Sequence, residues 1–156
     1  MNLTNPIGIV GAKTLGTGIA QAITTAGWTV RLFDFEPTLL ELSMSAITNR
    51  FHRLVAKGRI SDIQASNFLE QIATTNVLND LNDCDLIIEA VEDDFDTKTF
   101  ALKQIGNCSK ESIIATSTTL LSITELGEAC GYCERIVGMH FFNPAPITPL
   151  VEIVRG

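Results

Sequence analysis

Ile7–Gly18 reads IGIVGAKTLGTG, and the reading of this stretch decides the fold. Ile7–Val10 is a short apolar run closed by Gly11, which predicts a buried strand entering a turn. Beyond the turn Leu15, Ile19, Ala22, Ile23 and Ala26 recur at helical spacing, and Gly27 stops that helix. A glycine-interrupted turn between a strand and a helix places backbone N–H groups and the positive end of the helix against a phosphate. Gly11 permits the tight turn, and Gly16 lets the helix pack on the strand. A second strand is predicted over Thr29–Phe33 and ends at Asp34, 18 positions after Gly16. A carboxylate there accepts hydrogen bonds from the adenosine ribose hydroxyls and repels a 2′-phosphate, which favours NAD over NADP.

One position departs from that pattern. Lys13 stands where the second glycine would let the backbone approach the pyrophosphate. A disfavoured backbone conformation there would cost on the order of 1–3 kcal/mol, partly offset if the ammonium pairs with phosphate. The residues of the turn expected at the cofactor are Gly11, Lys13, Leu15 and Gly16, with Asp34 beyond them. The expectation is NAD binding that is weakened, not abolished, and that gains affinity in Lys13→Gly.

The same alternation continues outward. Thr38–Lys57 carries an apolar stripe (Leu39, Leu42, Ile47, Phe51, Leu54, Val55), and Ser61 is placed to cap a helix running to Gln71. Strands are predicted near Ala73–Thr75, at Leu86–Glu89, Ile113–Thr116, Ile136–His140 and Leu150–Val154. Between them lie a helix over Phe95–Ile105 and a capping-box pattern at Ser122–Glu125. Alternating strands and helices imply an α/β, Rossmann-type, doubly wound and mostly parallel sheet. With 156 residues, 46% apolar content and no repeat or linker, one domain over 1–156 is expected.

Composition excludes several classes. A net charge of −7 argues against nucleic acid and against anionic membrane surfaces. The segment Met1–Pro6 has no basic region or apolar core of a leader, and no run approaches the roughly 20 residues of a membrane span, so a cytoplasmic protein is expected. Cys130 and Cys133 form a lone CxxC that precedes a strand and lacks further ligands, so no metal is expected and reduced thiols are the default.

Two histidines are present. His52 lies mid-helix among Arg50, Arg53 and Lys57, where a solvated surface role is expected. His140 ends an apolar strand and is followed by Phe141-Phe142-Asn143-Pro144. Glu152 sits inside Leu150–Val154, where a buried, unpartnered carboxylate would cost several kcal/mol or be forced neutral. A chain reversal centred on Pro146 would bring the two side chains together. A histidine held by a buried carboxylate has a fixed tautomer and a raised pKa, suited to general acid–base work near neutral pH. From these residues alone, a core His–Glu pair without chemistry remains the alternative.

With these segments in view the chain resembles the 3-hydroxyacyl-CoA dehydrogenases, including the 3-hydroxybutyryl-CoA enzymes, in their N-terminal NAD-binding domain. The resemblance runs from Ile7 to Gly156 through Gly11–Ala20 (GAKTLGTGIA), Arg53–Ser61 (RLVAKGRIS), Asp85–Val91 (DLIIEAV) and Val137–Val154 (VGMHFFNPAPITPLVEIV). HFFNP followed by LVE is the most specific part. It implies NAD-dependent oxidation of a (3S)-3-hydroxyacyl-CoA to the 3-oxoacyl-CoA in fatty-acid and short-chain acyl-CoA metabolism. His140 resembles the general acid/base, Glu152 its orienting partner, and Asn143 the asparagine that positions substrate and histidine. Asp34 matches the ribose-binding acid and Lys98 the lysine that contacts the cofactor. Lys57 and Arg59 lie where the family meets the CoA nucleotide. Thr116-Ser117-Thr118-Thr119 replaces a serine–asparagine–threonine–serine motif; Thr119 keeps a hydroxyl where the family serine meets substrate and cofactor. Asp93 stands for a cofactor-contacting glutamate. The helical C-terminal domain of the family, roughly 100 residues, is absent from this sequence, so a homo-oligomer or a helical-domain partner is expected. Two rival readings remain. One is a dinucleotide or acyl-CoA binding module that has lost turnover; the other is a subunit completed by a separately encoded helical domain.

Overall fold

The structure, a computed structural model, describes residues 5–156. Met1–Thr4, part of the segment read above for a leader, lie outside the described residues. Seven strands form one sheet: β1 (Ile7–Val10), β2 (Val30–Phe33), β3 (Ile72–Thr75), β4 (Leu86–Glu89), β5 (Ile113–Thr116), β6 (Ile136–Phe141) and β7 (Val151–Arg155). Their order is β3-β2-β1-β4-β5-β6-β7; the first six neighbours run parallel, and β7 is antiparallel to β6. Helices α1 (Thr14–Thr25), α2 (Pro37–Ala56), α3 (Asp62–Glu70), α4 (Phe95–Cys108) and α5 (Ile123–Cys130) make the crossovers. This is the doubly wound, mostly parallel Rossmann-type sheet expected from the alternation.

The strands are apolar on both faces because both are covered. Ile9, Leu32, Ile88 and Ala115 point to the side where α1, α2 and α3 contribute Ile19, Leu40, Ile47, Phe51 and Ala65. Their neighbours Val10, Phe33, Ile87 and Ile114 point to the other side, against Leu102 and Ile105 of α4 and Leu126 of α5. Burying one such side chain fully contributes about 1.5–3 kcal/mol, which makes these two layers the main stabilising term. The register puts Thr75, Phe33, Val10, Glu89, Thr116 and Gly138 in one row near the C-terminal ends of the parallel strands. The strand order reverses between β1 and β4, and a crevice opens there.

One of the two expected caps is complete and the other is not. Ser61 forms a complete capping box, accepting from the Gln64 backbone N–H while Gln64 accepts from the Ser61 N–H. At Ser122 only half of the box forms: its hydroxyl accepts from the Glu125 N–H at 3.3 Å. Among the described residues, no helix is long and apolar enough to cross a membrane.

Candidate functional site

The turn after β1 is built by the absence of side chains. Gly11 has a φ of +106°, which non-glycine residues rarely adopt, and a Cβ there would lie 2.9 Å from the Ala90 carbonyl oxygen. A Cβ on Gly16 would fall 1.8 Å from the Gly11 carbonyl oxygen, so the α1–β1 contact exists only for glycine. Lys13 is the N-cap of α1 and offers no side-chain cap to the helix. The first turn of α1 therefore has amide donors without a side-chain partner, a donor set that fits a pyrophosphate.

The backbone of Lys13 (φ −76°, ψ −167°) is ordinary extended chain, so the conformational cost considered above does not arise. Its ammonium instead pairs with Glu92 in the segment after β4, across the crevice. Each raises the charged fraction of the other: the Glu92 hydrogen bond holds the Lys13 ammonium up, and Lys13 holds the Glu92 carboxyl down.

Asp34 stands at the end of β2. One carboxylate oxygen accepts from the Ala12 N–H at 2.8 Å and the other from the Glu36 N–H at 3.1 Å. The acid is thereby locked onto the turn, with the remaining lone pairs facing a cavity of about 250 Å³. Gly11, Lys13, Asp34, Phe35, Leu39, Leu78, Glu92, Phe100 and Gln104 contribute to its lining. Leu15 and Gly16 are not on that wall: Leu15 packs against the core, and Gly16 lies beneath the turn. Phe35, Leu78, Glu92 and Phe100 were not singled out from sequence. The only signal for Glu92 was its place just past a strand at the switch point.

A second cavity, about 130 Å³, opens near the C-terminal end of β6. It is lined by Thr118, Thr119, Leu121, Ile123, Gly138, His140, Glu152 and Val154. His140 and Glu152 face one another in the antiparallel register of β6 and β7, where opposite Cβ atoms lie about 4.5–5.5 Å apart. The reversal between them is formed around Pro144, whose carbonyl accepts from the Ile147 and Thr148 N–H groups. No hydrogen bond or ion pair joins the two side chains, and the His140 ring instead packs on Phe142, 4.5 Å between centroids. Glu152 is exposed, not buried as expected. The reason is topological: β7 is the edge strand, and all five of its residues face solvent.

Thr119 is tied to Asp93, whose carboxylate accepts from the Thr119 N–H and hydroxyl, both at 3.2 Å. Asn143 is exposed in the segment after β6, and Lys57 and Arg59 are exposed beyond α2. Lys98, expected at the cofactor, lies in α4. It is fully buried, and its ammonium donates to Glu89 at 2.8 and 3.1 Å and to the Val91 carbonyl at 3.4 Å. Glu89, the acid that holds it, was read from sequence only as the end of a buried strand. Cys130 is buried and Cys133 exposed, both as free thiols; burial raises the Cys130 thiol.

The sequence matches the family described as 3-hydroxyacyl-CoA dehydrogenase, NAD binding domain, over residues 6–156. It is 36% identical over 150 residues to a probable 3-hydroxybutyryl-CoA dehydrogenase of Deinococcus radiodurans, covering 96% of this chain and 54% of that one. With the probable 3-hydroxybutyryl-CoA dehydrogenase of Bacillus subtilis the identity is 32% over 149 residues, covering 95% and 52%. The structure superposes on the crystal structure of (S)-3-hydroxybutyryl-CoA dehydrogenase from Ralstonia eutropha with a TM-score of 0.95 at 35% identity, covering 99% of this chain and 55% of that one. The chain thus spans about half the length of these relatives.

Proposed function

The chain belongs to the 3-hydroxyacyl-CoA dehydrogenase family, as its NAD-binding domain, and from that premise we propose that it serves NAD-dependent oxidation of a (3S)-3-hydroxyacyl-CoA to the 3-oxoacyl-CoA. NAD, when bound, supplies the acceptor for the hydride leaving C3. The amides at the start of α1 hold the pyrophosphate, Asp34 takes the ribose hydroxyls, and Lys13 exchanges Glu92 for a phosphate oxygen. His140 takes the proton of the 3-hydroxyl as a general base, and in the reverse direction returns it to the carbonyl oxygen. Glu152 orients the imidazole and stabilises the imidazolium, the role of the carboxylate in a hydrolase triad. Thr119 presents its hydroxyl to the reacting end, and Asn143 positions substrate. Lys57 and Arg59, both exposed cations, meet the CoA phosphates. One domain over 1–156, a cytoplasmic setting, and a second copy or a helical-domain partner belong to the same proposal.

The observation that carries this reading is the register of β6 and β7, which sets His140 opposite Glu152 on a cavity shared with Thr119. The test is NADH oxidation with acetoacetyl-CoA, with and without a helical domain of the family added. Turnover that disappears in His140→Gln supports the dehydrogenase.

A second reading is a dinucleotide or acyl-CoA binding module without turnover. It is favoured by the exposure of Glu152 and the missing His140–Glu152 hydrogen bond. NAD binding with no NADH oxidation under either condition decides for it.

A further inference from the structure

Glu89 is the last residue of β4, flanked in register by Val10 of β1 and Thr116 of β5, and its side chain has no exposure at all. A carboxylate withdrawn from water needs donors, and this one has four hydrogen bonds. Lys98 Nζ donates to Oε1 and Oε2, the Val91 N–H to Oε1 at 2.7 Å, and the Thr116 hydroxyl to Oε2 at 2.6 Å. Lys98 continues the chain of contacts, with its ammonium 3.8 Å from Asp93 Oδ1. Asp93 Oδ2 in turn holds the N–H and hydroxyl of Thr119, which lines the cavity with His140. The path Thr116–Glu89–Lys98–Asp93–Thr119 thus closes a ring under the segments that follow β4 and β5. The segment after β4 lines the Asp34 cavity through Val91 and Glu92, and the segment after β5 lines the His140 cavity through Thr118 and Thr119.

Stability alone does not account for this arrangement, because an apolar pair of similar volume commonly replaces a buried ion pair without loss. We propose that Glu89 is a positioning residue: by taking the short hydrogen bonds of Lys98 it keeps the ammonium off Asp93 Oδ2, which fixes Thr119. This rests on the reading that the cofactor spans the crevice from Asp34 toward His140. In Glu89→Gln the Lys98 ammonium loses its charged partner and turns to Asp93, in competition with Thr119.

The experiment compares NADH with ADP-ribose by isothermal titration on the whole chain. ADP-ribose carries the adenosine and pyrophosphate but lacks the nicotinamide, so it reads only the Asp34 half. Glu89→Gln is expected to weaken NADH about tenfold, the size of one lost charge-assisted contact, while ADP-ribose stays within about twofold. Should Glu89→Gln not fold, Glu89→Gln/Lys98→Met also removes the competing ammonium and is expected to bind both ligands within about twofold of wild type. Equal weakening of both ligands in Glu89→Gln, or of neither, overturns the proposal and leaves the crevice reading intact, as does a double variant that still binds NADH about tenfold more weakly than wild type. A wild-type chain that binds neither ligand overturns the crevice reading, and this proposal with it.

Discussion

At Lys13 the cost to the cofactor is electrostatic, not conformational. Its backbone is unstrained, and its ammonium is already paired with Glu92 across the mouth of the crevice. A pyrophosphate entering there must displace one carboxylate and then sit beside it. Glu92→Gln should therefore bind NAD more tightly than wild type, by about threefold at low salt, with the gain shrinking as salt screens the charges. Titration calorimetry at two ionic strengths checks both parts. Lys13→Gly, in contrast, leaves Glu92 uncompensated next to the phosphates, so the gain expected from sequence alone should not appear. Asp34 shows the opposite sign: its carboxylate is held by Ala12 and Glu36 and is available to the ribose. Asp34→Ala should weaken NAD at least tenfold and narrow the preference over NADP, measured as the ratio of the two dissociation constants. Single residues were read unevenly from sequence for a physical reason. Asp34 and His140 are fixed by strand ends, which the sequence marks. The partners Glu92 and Glu89 are defined only once strands distant in sequence lie side by side.

Between elements, the closest fit is α1 on β1. Adding a methyl at Gly16 forces its helix away from the Gly11 carbonyl. Gly16→Ala should cost about 3 kcal/mol, the upper end for overpacking, and should abolish NAD binding because the turn moves with the helix. Urea denaturation and calorimetry measure the two effects. The contact between the segments after β4 and β5 is pH-sensitive. Burial pushes the Asp93 carboxyl up, but hydrogen bonds from Thr118 and Thr119 and the charge of Lys98 outweigh it and hold the group low. A depressed acid contributes stability above its unfolded value, about 3.9, and loses it as pH falls through the folded value. The Thr119 amide resonance should therefore stay constant down to about pH 4 and shift below it, and Asp93→Asn should remove that step. The order of elements was legible because each strand is an apolar run and each helix a 3.6-residue stripe, as in Ile7–Val10 and α2. The burial of Glu152 was misjudged because alternation cannot say whether a strand is inside the sheet or at its edge.

For the molecule as a whole, apolar side chains are exposed at the β7 end of the sheet. Ile147 is 77% exposed, Ile153 59% and Leu150 53%, and Phe142, Val151 and Val154 lie in the same stretch. An edge strand with unpaired backbone groups and apolar side chains on both faces favours association. A net charge of −7 opposes it between identical chains, and salt screens that repulsion. The sedimentation mass should therefore rise with salt and with chain concentration, and the Ile147→Lys/Ile153→Lys variant should stay monomeric. A mass that never leaves the monomer value counts against this face as an interface. The consequence reaches the chemistry, because β7 also carries Glu152. Covering the edge strand would withdraw Glu152 from water, and a carboxylate in lower dielectric attracts an imidazolium more strongly. If His140 is the proton acceptor, NADH oxidation per chain should increase as association proceeds, and the Lys variant should lose that increase while keeping its affinity for NADH.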